Sequence, residues 1–162
     1  MKQHTLLTNY IEYDSSEILL PADRQLLDRA TAACAAAYAP YSGFSVGAAI
    51  LLANGQVILG NNQENSVYPS GLCAERVALF AASANHPGIP IVAIAITATT
   101  HRFELDSPVT PCGSCRQVLV EYEQLHGQAI RIIMSSSFGS VRIVESSGSL
   151  LPFLFHAEKL KK

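Results

Sequence analysis

Four residues of this chain have the types and the spacing to do chemistry together. Cys73 and Glu75 stand two apart in "GLCAERVAL", and Cys112 and Cys115 form a CxxC in "TPCGSCRQ". Each pair opens a stretch that reads as a helix. The first turn of a helix leaves backbone N–H groups unpaired and carries the positive end of the helix dipole, so thiolates form there more readily. Three thiolates from two helix starts supply three corners of a tetrahedron. Zinc suits that arrangement, and three protein ligands leave a fourth position for water. A structural zinc site would ask for a fourth cysteine or a histidine, and none of the five histidines falls within a few residues of these motifs. What stands beside Cys73 is a carboxylate. Zinc lowers the pKa of water from 15.7 towards about 7, and a nearby carboxylate can take that proton and pass it on. Three ligands and an acid/base group describe a hydrolytic metal site.

Each motif alone leaves alternatives open. A CxxC at a helix start is equally what a thiol redox pair uses. Small and acidic residues are common at helix starts, so Cys73-Ala74-Glu75 by itself says little. A zinc module without catalysis and a redox protein are therefore the competing readings from other classes. Taken together, with a strand expected between them, the two motifs match the signature H-x-E…P-C-x-x-C of zinc nucleobase deaminases, in which histidine or cysteine is the first ligand. The fourth cysteine, Cys34, lies in the alanine-rich "ATAACAAAYA" and reads as a small core residue.

The elements that must position these residues follow from local pattern. "TNYIEYDS" is consistent with a strand. "LPADRQLLDRATAACAAAYAP" reads as a helix, with Pro21 suited to its first turn and Pro40 as its end. "VGAAILLANGQVILG" reads as a β-hairpin, because Asn54-Gly55 suits the positive φ angles of a tight primed turn. "CAERVALFAASA" is a helix. "IVAIAITATT" is too continuously apolar for a half-exposed strand and fits a central strand covered on both faces. "CGSCRQVLVEYEQLHG" is a helix closed by Gly127. "AIRIIMSSS" and "VRIVE" are strands joined by a turn at "FGS". The alternation predicts a layered α/β domain around one sheet.

Composition bounds the function classes. The chain has 162 residues, 49% hydrophobic and 15% charged, with a net charge of -2, which fits one domain with ample core material. A nucleic-acid footprint would show a basic cluster, and the only one is the tail, Lys159, Lys161 and Lys162, which reads as solvated. No segment has the apolar core of a signal peptide or the length of a membrane span. These features lead to the expectation of a cytoplasmic protein with no nucleic-acid or membrane partner.

At this point the chain resembles the cytidine deaminase family in its small homotetrameric form. "YAPYSGFSVGAA" (38–49), "GNNQENSVYPSGLCAERVAL" (60–79), "SPVTPCGSCRQVL" (107–119) and "SLLPFLF" (149–155) are similar to four of that family's segments. The likeness runs in register over residues 22–162 and leaves residues 1–20 as an N-terminal extension to a single domain. It implies a three-layer αβα sandwich around a mixed β-sheet, with one zinc ion per subunit. It implies Cys73, Cys112 and Cys115 as ligands, Glu75 as proton shuttle, and backbone groups around Ala74 and Cys112 reading the base. Asn62 and Glu64 match positions that hold the ribose hydroxyls. An amide and a carboxylate two apart in extended backbone point the same way and can satisfy a sugar's donors and acceptors. Phe44 matches a ring lying against the substrate, and Phe155 one that closes a neighbouring subunit's site in the tetramer.

Three thiolates and Zn²⁺ sum to -1, so an arginine donating to a ligand sulfur would offset the excess charge. Arg76 is the candidate, and Arg116 a weaker one. The sequence departs from the family at Asn61, often cysteine, and at Val67, usually a smaller or sulfur-containing residue. The implied reaction is hydrolytic deamination of cytidine and deoxycytidine to uridine and deoxyuridine plus ammonia, in pyrimidine salvage. Deaminases acting on blasticidin S, a nucleotide or a nucleic-acid base are the nearest rivals. The acidic balance counts against nucleic acid, and Glu64 would repel a substrate phosphate nearby.

Overall fold

The computed structural model describes residues 1–136 and 139–155; the basic tail and part of the "FGS" turn lie outside them. Helix α1, Pro21–Ala33, opens on proline and buries Leu26, Leu27, Ala30 and Ala33 along one face. It does not run to Pro40. After a single 3-10 turn, Cys34–Ala36, the chain is extended at Ala37. The reason is tertiary. Tyr38 N donates to Asn62 O and Glu64 N donates to Tyr38 O, so this segment pairs beside Gln63 instead of continuing the helix. Cys34 is buried, with its thiol on the carbonyls of Ala30 and Thr97, as a core residue should be.

The hairpin is strands β2, Phe44–Leu52, and β3, Val57–Asn61. Its turn differs from the expectation. A type I′ turn needs positive φ at both central residues and a type II′ turn at the first, and among the described residues no non-glycine has one. Gly55 alone does, at 83°, and its N–H donates to Leu52 O while Leu52 N donates to Gln56 O. That is the longer hairpin loop with a glycine bulge. Helix α2, Ala74–Asn85, strand β4, Ile91–Thr100, and helix α3, Gly113–His126, follow as expected, with α3 ended by Gly127 at φ 59°. Strands β5, Arg131–Ser135, and β6, Val141–Val144, complete the expected order.

The strand expected in "TNYIEYDS" is present and belongs to the same sheet. Strand β1, Ile11–Tyr13, pairs antiparallel with β6, and Leu19 is buried in the core under α1. Among the described residues the sheet has six strands in the order β1-β6-β5-β4-β2-β3. It is mixed: β4 and β5 are parallel, and the other neighbours are antiparallel. Parallel neighbours need a long crossover, and α3 is that crossover. It therefore starts at the end of β4, beside the place where α2 starts.

The three layers are set by what β2 and β4 show on each face. Ile50, Leu52, Ile94 and Ile96 pack with Leu79 of α2 and Leu119 of α3. Ala49, Ala93 and Ala95 face Leu26, Leu27 and Ala30 of α1. Each fully buried isoleucine or leucine contributes about 2 kcal/mol. Small residues bring the helices close. A Cβ on Gly47 would sit 2.0 Å from Ala30 O, and one on Gly60 would sit 2.5 Å from Ala74 O. Gly60 thus lets the first turn of α2 press on β3, which fixes the depth of Cys73 and Glu75 in the fold.

Candidate metal centre and active site

Cys73 immediately precedes α2, Cys112 immediately precedes α3, and Cys115 lies in the first turn of α3. The two helix starts converge because α2 and α3 lie on the same face of the sheet. Their three sulfurs fall within 4.8 Å of one another, and among the described residues they are the group that could hold a metal ion. Sulfurs around a tetrahedral zinc at about 2.3 Å stand roughly 3.8 Å apart. The Cys73–Cys112 separation is 3.9 Å and the Cys112–Cys115 separation 3.5 Å. The donor set and its spacing fit zinc.

The charge in this cluster is uneven. Cys73 is pulled down to about 5, first by a hydrogen bond from Cys115 and then by the guanidinium of Arg76 and by Cys112. Cys115 is pushed up, because it is the donor in that bond and is buried. Arg76 Nη2 lies 3.7 Å from Cys73 Sγ, as expected of a cation that offsets thiolate charge. Arg116 does not share that role. Its Nε donates to Pro111 O at 2.8 Å and its Nη1 to Leu150 O at 3.0 Å, so it ties backbone rather than sulfur.

Glu75 is only 4% exposed. Burial raises its carboxyl pKa, and the charge on Cys73 raises it further, against its own backbone N–H, Cys115 and Arg76. A carboxyl held above its ordinary range can both take and return a proton. It reaches a cavity of about 880 Å³ whose wall also includes Phe44, Asn62, Glu64, Cys73 and Cys112.

The sugar-binding candidates are fixed before any ligand arrives. Asn62 Oδ1 accepts from Val46 N at 2.8 Å, and its Nδ2 donates to Phe44 O at 2.9 Å. Glu64 Oε2 accepts from Tyr41 N at 2.9 Å and Ser42 N at 3.2 Å. The Ser42 hydroxyl first, then these N–H groups and the charge of Arg102, hold the Glu64 carboxyl below its ordinary range.

Three expected residues lie off the wall: Cys115, which is fully buried behind Cys73 and Cys112, Ala74 and Phe155. Ala74 is fully buried, its methyl in the core with Ala78 and Leu79. Phe155 is 63% exposed, with its carbonyl accepting from Gln117 Nε2, and it does not line the cavity. Val67 is likewise exposed and off the wall. Sequence reasoning missed Tyr41, Tyr68 and Phe103, which line the cavity. Their signal was available: each is an aromatic residue in an otherwise polar loop next to a recognised motif.

A sequence model of the family described as "Cytidine and deoxycytidylate deaminase zinc-binding region" matches residues 21–126, which contain all three thiols and Glu75. The chain belongs to this family. The deaminase is 42% identical over 139 residues to a cytidine deaminase of Halalkalibacterium halodurans, covering 85% of this chain and 98% of that protein. A crystal structure of cytidine deaminase from Burkholderia pseudomallei superposes with a TM-score of 0.70 at 43% identity, over 81% of this chain and 97% of that one. A cytidine deaminase structure from Mycobacterium tuberculosis gives 0.61 at 33% identity, over 82% and 95%. The mixed sheet and its helices are those of the family's solved structures, and zinc is the cofactor that the matched region and the thiol cluster support.

Proposed function

We propose that this chain hydrolytically deaminates cytidine and deoxycytidine, releasing ammonia and leaving uridine or deoxyuridine. The observation that carries it is the buried Glu75 carboxyl on a cavity wall beside the Cys73–Cys112–Cys115 cluster, inside the family's zinc-binding region. Relatives at this level of identity are named cytidine deaminases. Zinc held by the three sulfurs supplies the Lewis acidity that makes water a nucleophile at neutral pH.

The chain's own residues do the rest. Glu75 takes a proton from the attacking water and delivers it to N3 of the cytosine ring. Water oxygen forms the new bond to C4. Glu75 then carries the second water proton to the departing amino group, the C4–N bond breaks, and ammonia leaves. Arg76 keeps the sulfur cluster from becoming too electron-rich. Asn62 and Glu64 hold the ribose hydroxyls. Because backbone partners already fix both side chains, little rotamer freedom is lost on binding. The carboxylate of Glu64 favours a nucleoside over a nucleotide.

In this reading residues 1–162 form a single domain that assembles as a homotetramer and works in cytoplasmic pyrimidine salvage. Phe155, exposed and off the wall of its own cavity, closes the site of a neighbouring subunit. The test is the ultraviolet change as cytidine becomes uridine, with and without a chelator, beside ammonia release from deoxycytidine, cytidine monophosphate and blasticidin S. Turnover of both nucleosides that stops with chelator and returns with zinc is expected. No turnover of cytidine by zinc-loaded protein would overturn the proposal. Light scattering reads the assembly.

A further inference from the structure

Phe103 has no part in the chemistry above, yet the structure places it with care. It lies between the end of β4 and the start of α3, in the polar stretch "HRFELD". The residue is 56% exposed while lining the cavity. It stacks on Phe44, with ring centres 6.0 Å apart and planes 12° from parallel. The two rings therefore present one continuous apolar wall.

That wall is fastened from behind. Arg102 Nη1 donates to Tyr41 O at 3.1 Å, and Arg102 N donates to Thr100 Oγ1 at 3.2 Å. The guanidinium lies over Gly43, where a Cβ would come within 2.5 Å of Nε. Gly43 has φ +65°, so that position favours glycine twice over. On the other side Glu64 grips Tyr41 N and Ser42 N. Two loops distant in sequence, 41–44 and 100–103, are thus joined into one rim that holds Phe103 beside Phe44.

A large ring left half in water at the mouth of a cavity gains free energy when a flat apolar surface covers it. We propose that Phe103 is a further substrate-binding residue, which with Phe44 forms the wall against which a pyrimidine nucleoside packs, and that Arg102 positions it. This rests on the nucleoside reading above.

The test is steady-state kinetics with cytidine on zinc-loaded Phe103→Ala, Phe103→Leu and Arg102→Ala variants, with calorimetric Kd for uridine, a pyrimidine nucleoside that is not consumed, on the same proteins. Losing a base-stacking aromatic costs about 1–2 kcal/mol, which is roughly a five- to thirty-fold rise in KM or Kd. Phe103→Ala should show that rise with kcat within about twofold of wild type. The leucine variant should fall between, and Arg102→Ala should show a smaller rise of the same kind. Since the ring is exposed, the thermal midpoint should stay within a few degrees. An unchanged KM and Kd, or a fall in kcat that tracks a lower thermal midpoint, would overturn the proposal. The Kd ratio decides on the wall even if the wild-type chain turns over nothing, a result that would remove only the proposed reaction.

Discussion

Glu75→Gln tests the proposed mechanism most directly. Glutamine has nearly the shape of glutamate, so it fits a site that is 4% exposed without a cavity or a clash. It cannot exchange a proton. Positioned proton transfer contributes about 10²–10⁴-fold, or roughly 2.7–5.5 kcal/mol at about 1.36 kcal/mol per tenfold. The substitution removes a group that burial makes reluctant to ionise. The fold should therefore keep its stability, and the thermal midpoint should fall by no more than a few degrees. Zinc should also stay, because the ligand sulfurs are untouched. The assay is kcat by the ultraviolet change on cytidine, with zinc per chain by elemental analysis on the same sample. A kcat within tenfold of wild type at full zinc would refute the assignment of the proton shuttle. So would loss of zinc in step with activity, which would make Glu75 a group that holds the metal site together.

Replacing Cys112 with serine should abolish zinc retention during dialysis and reduce turnover to background, since two sulfurs no longer close the site; elemental analysis checks it. Glu123 offers a prediction remote from the chemistry. Its carboxylate accepts from Ser146 Oγ at 2.6 Å, Ser147 N at 2.8 Å, Ser147 Oγ at 2.7 Å and Ile130 N at 3.0 Å. Burial works to raise its pKa, but these four donors outweigh it and the net shift is downward. A depressed carboxyl stabilises the fold above the ordinary glutamate value of about 4.3, and that contribution is lost as pH falls through the lower folded value. Glu123→Gln should cost roughly 2–4 kcal/mol at pH 7 by loss of charge-assisted bonds. Chemical denaturation should show the gap to wild type closing as pH drops below about 4; a gap independent of pH would contradict it.

The sequence by itself determined which groups are available for chemistry. Cys73-Ala74-Glu75 and Cys112-Gly113-Ser114-Cys115 supply three thiols and a carboxylate at two helix starts through residue type and spacing. It also determined the elements whose signals are local. Pro21 opens α1 and Gly127 closes α3 at the residues expected, and the unbroken apolar run of β4 is covered on both faces. Local signals failed where distant residues outbid them. The alanine run leaves its helix because residue 63 captures the backbone at Tyr38. The strand expected in "TNYIEYDS" forms, but only tertiary structure decides that it pairs with β6. Arg76 and Arg116 each follow a thiol motif, yet only tertiary structure sends one guanidinium to sulfur and the other to the carbonyls of Pro111 and Leu150. The contact between the two rings of the cavity wall is likewise a matter of tertiary structure. Phe44 and Phe103 become neighbours because β2 and β4 pair with Phe44 opposite Thr100. Spacing along the chain decides which groups share a helix turn. Strand pairing decides which loops meet, and here that pairing brings the two helix starts and the rim loops around one cavity.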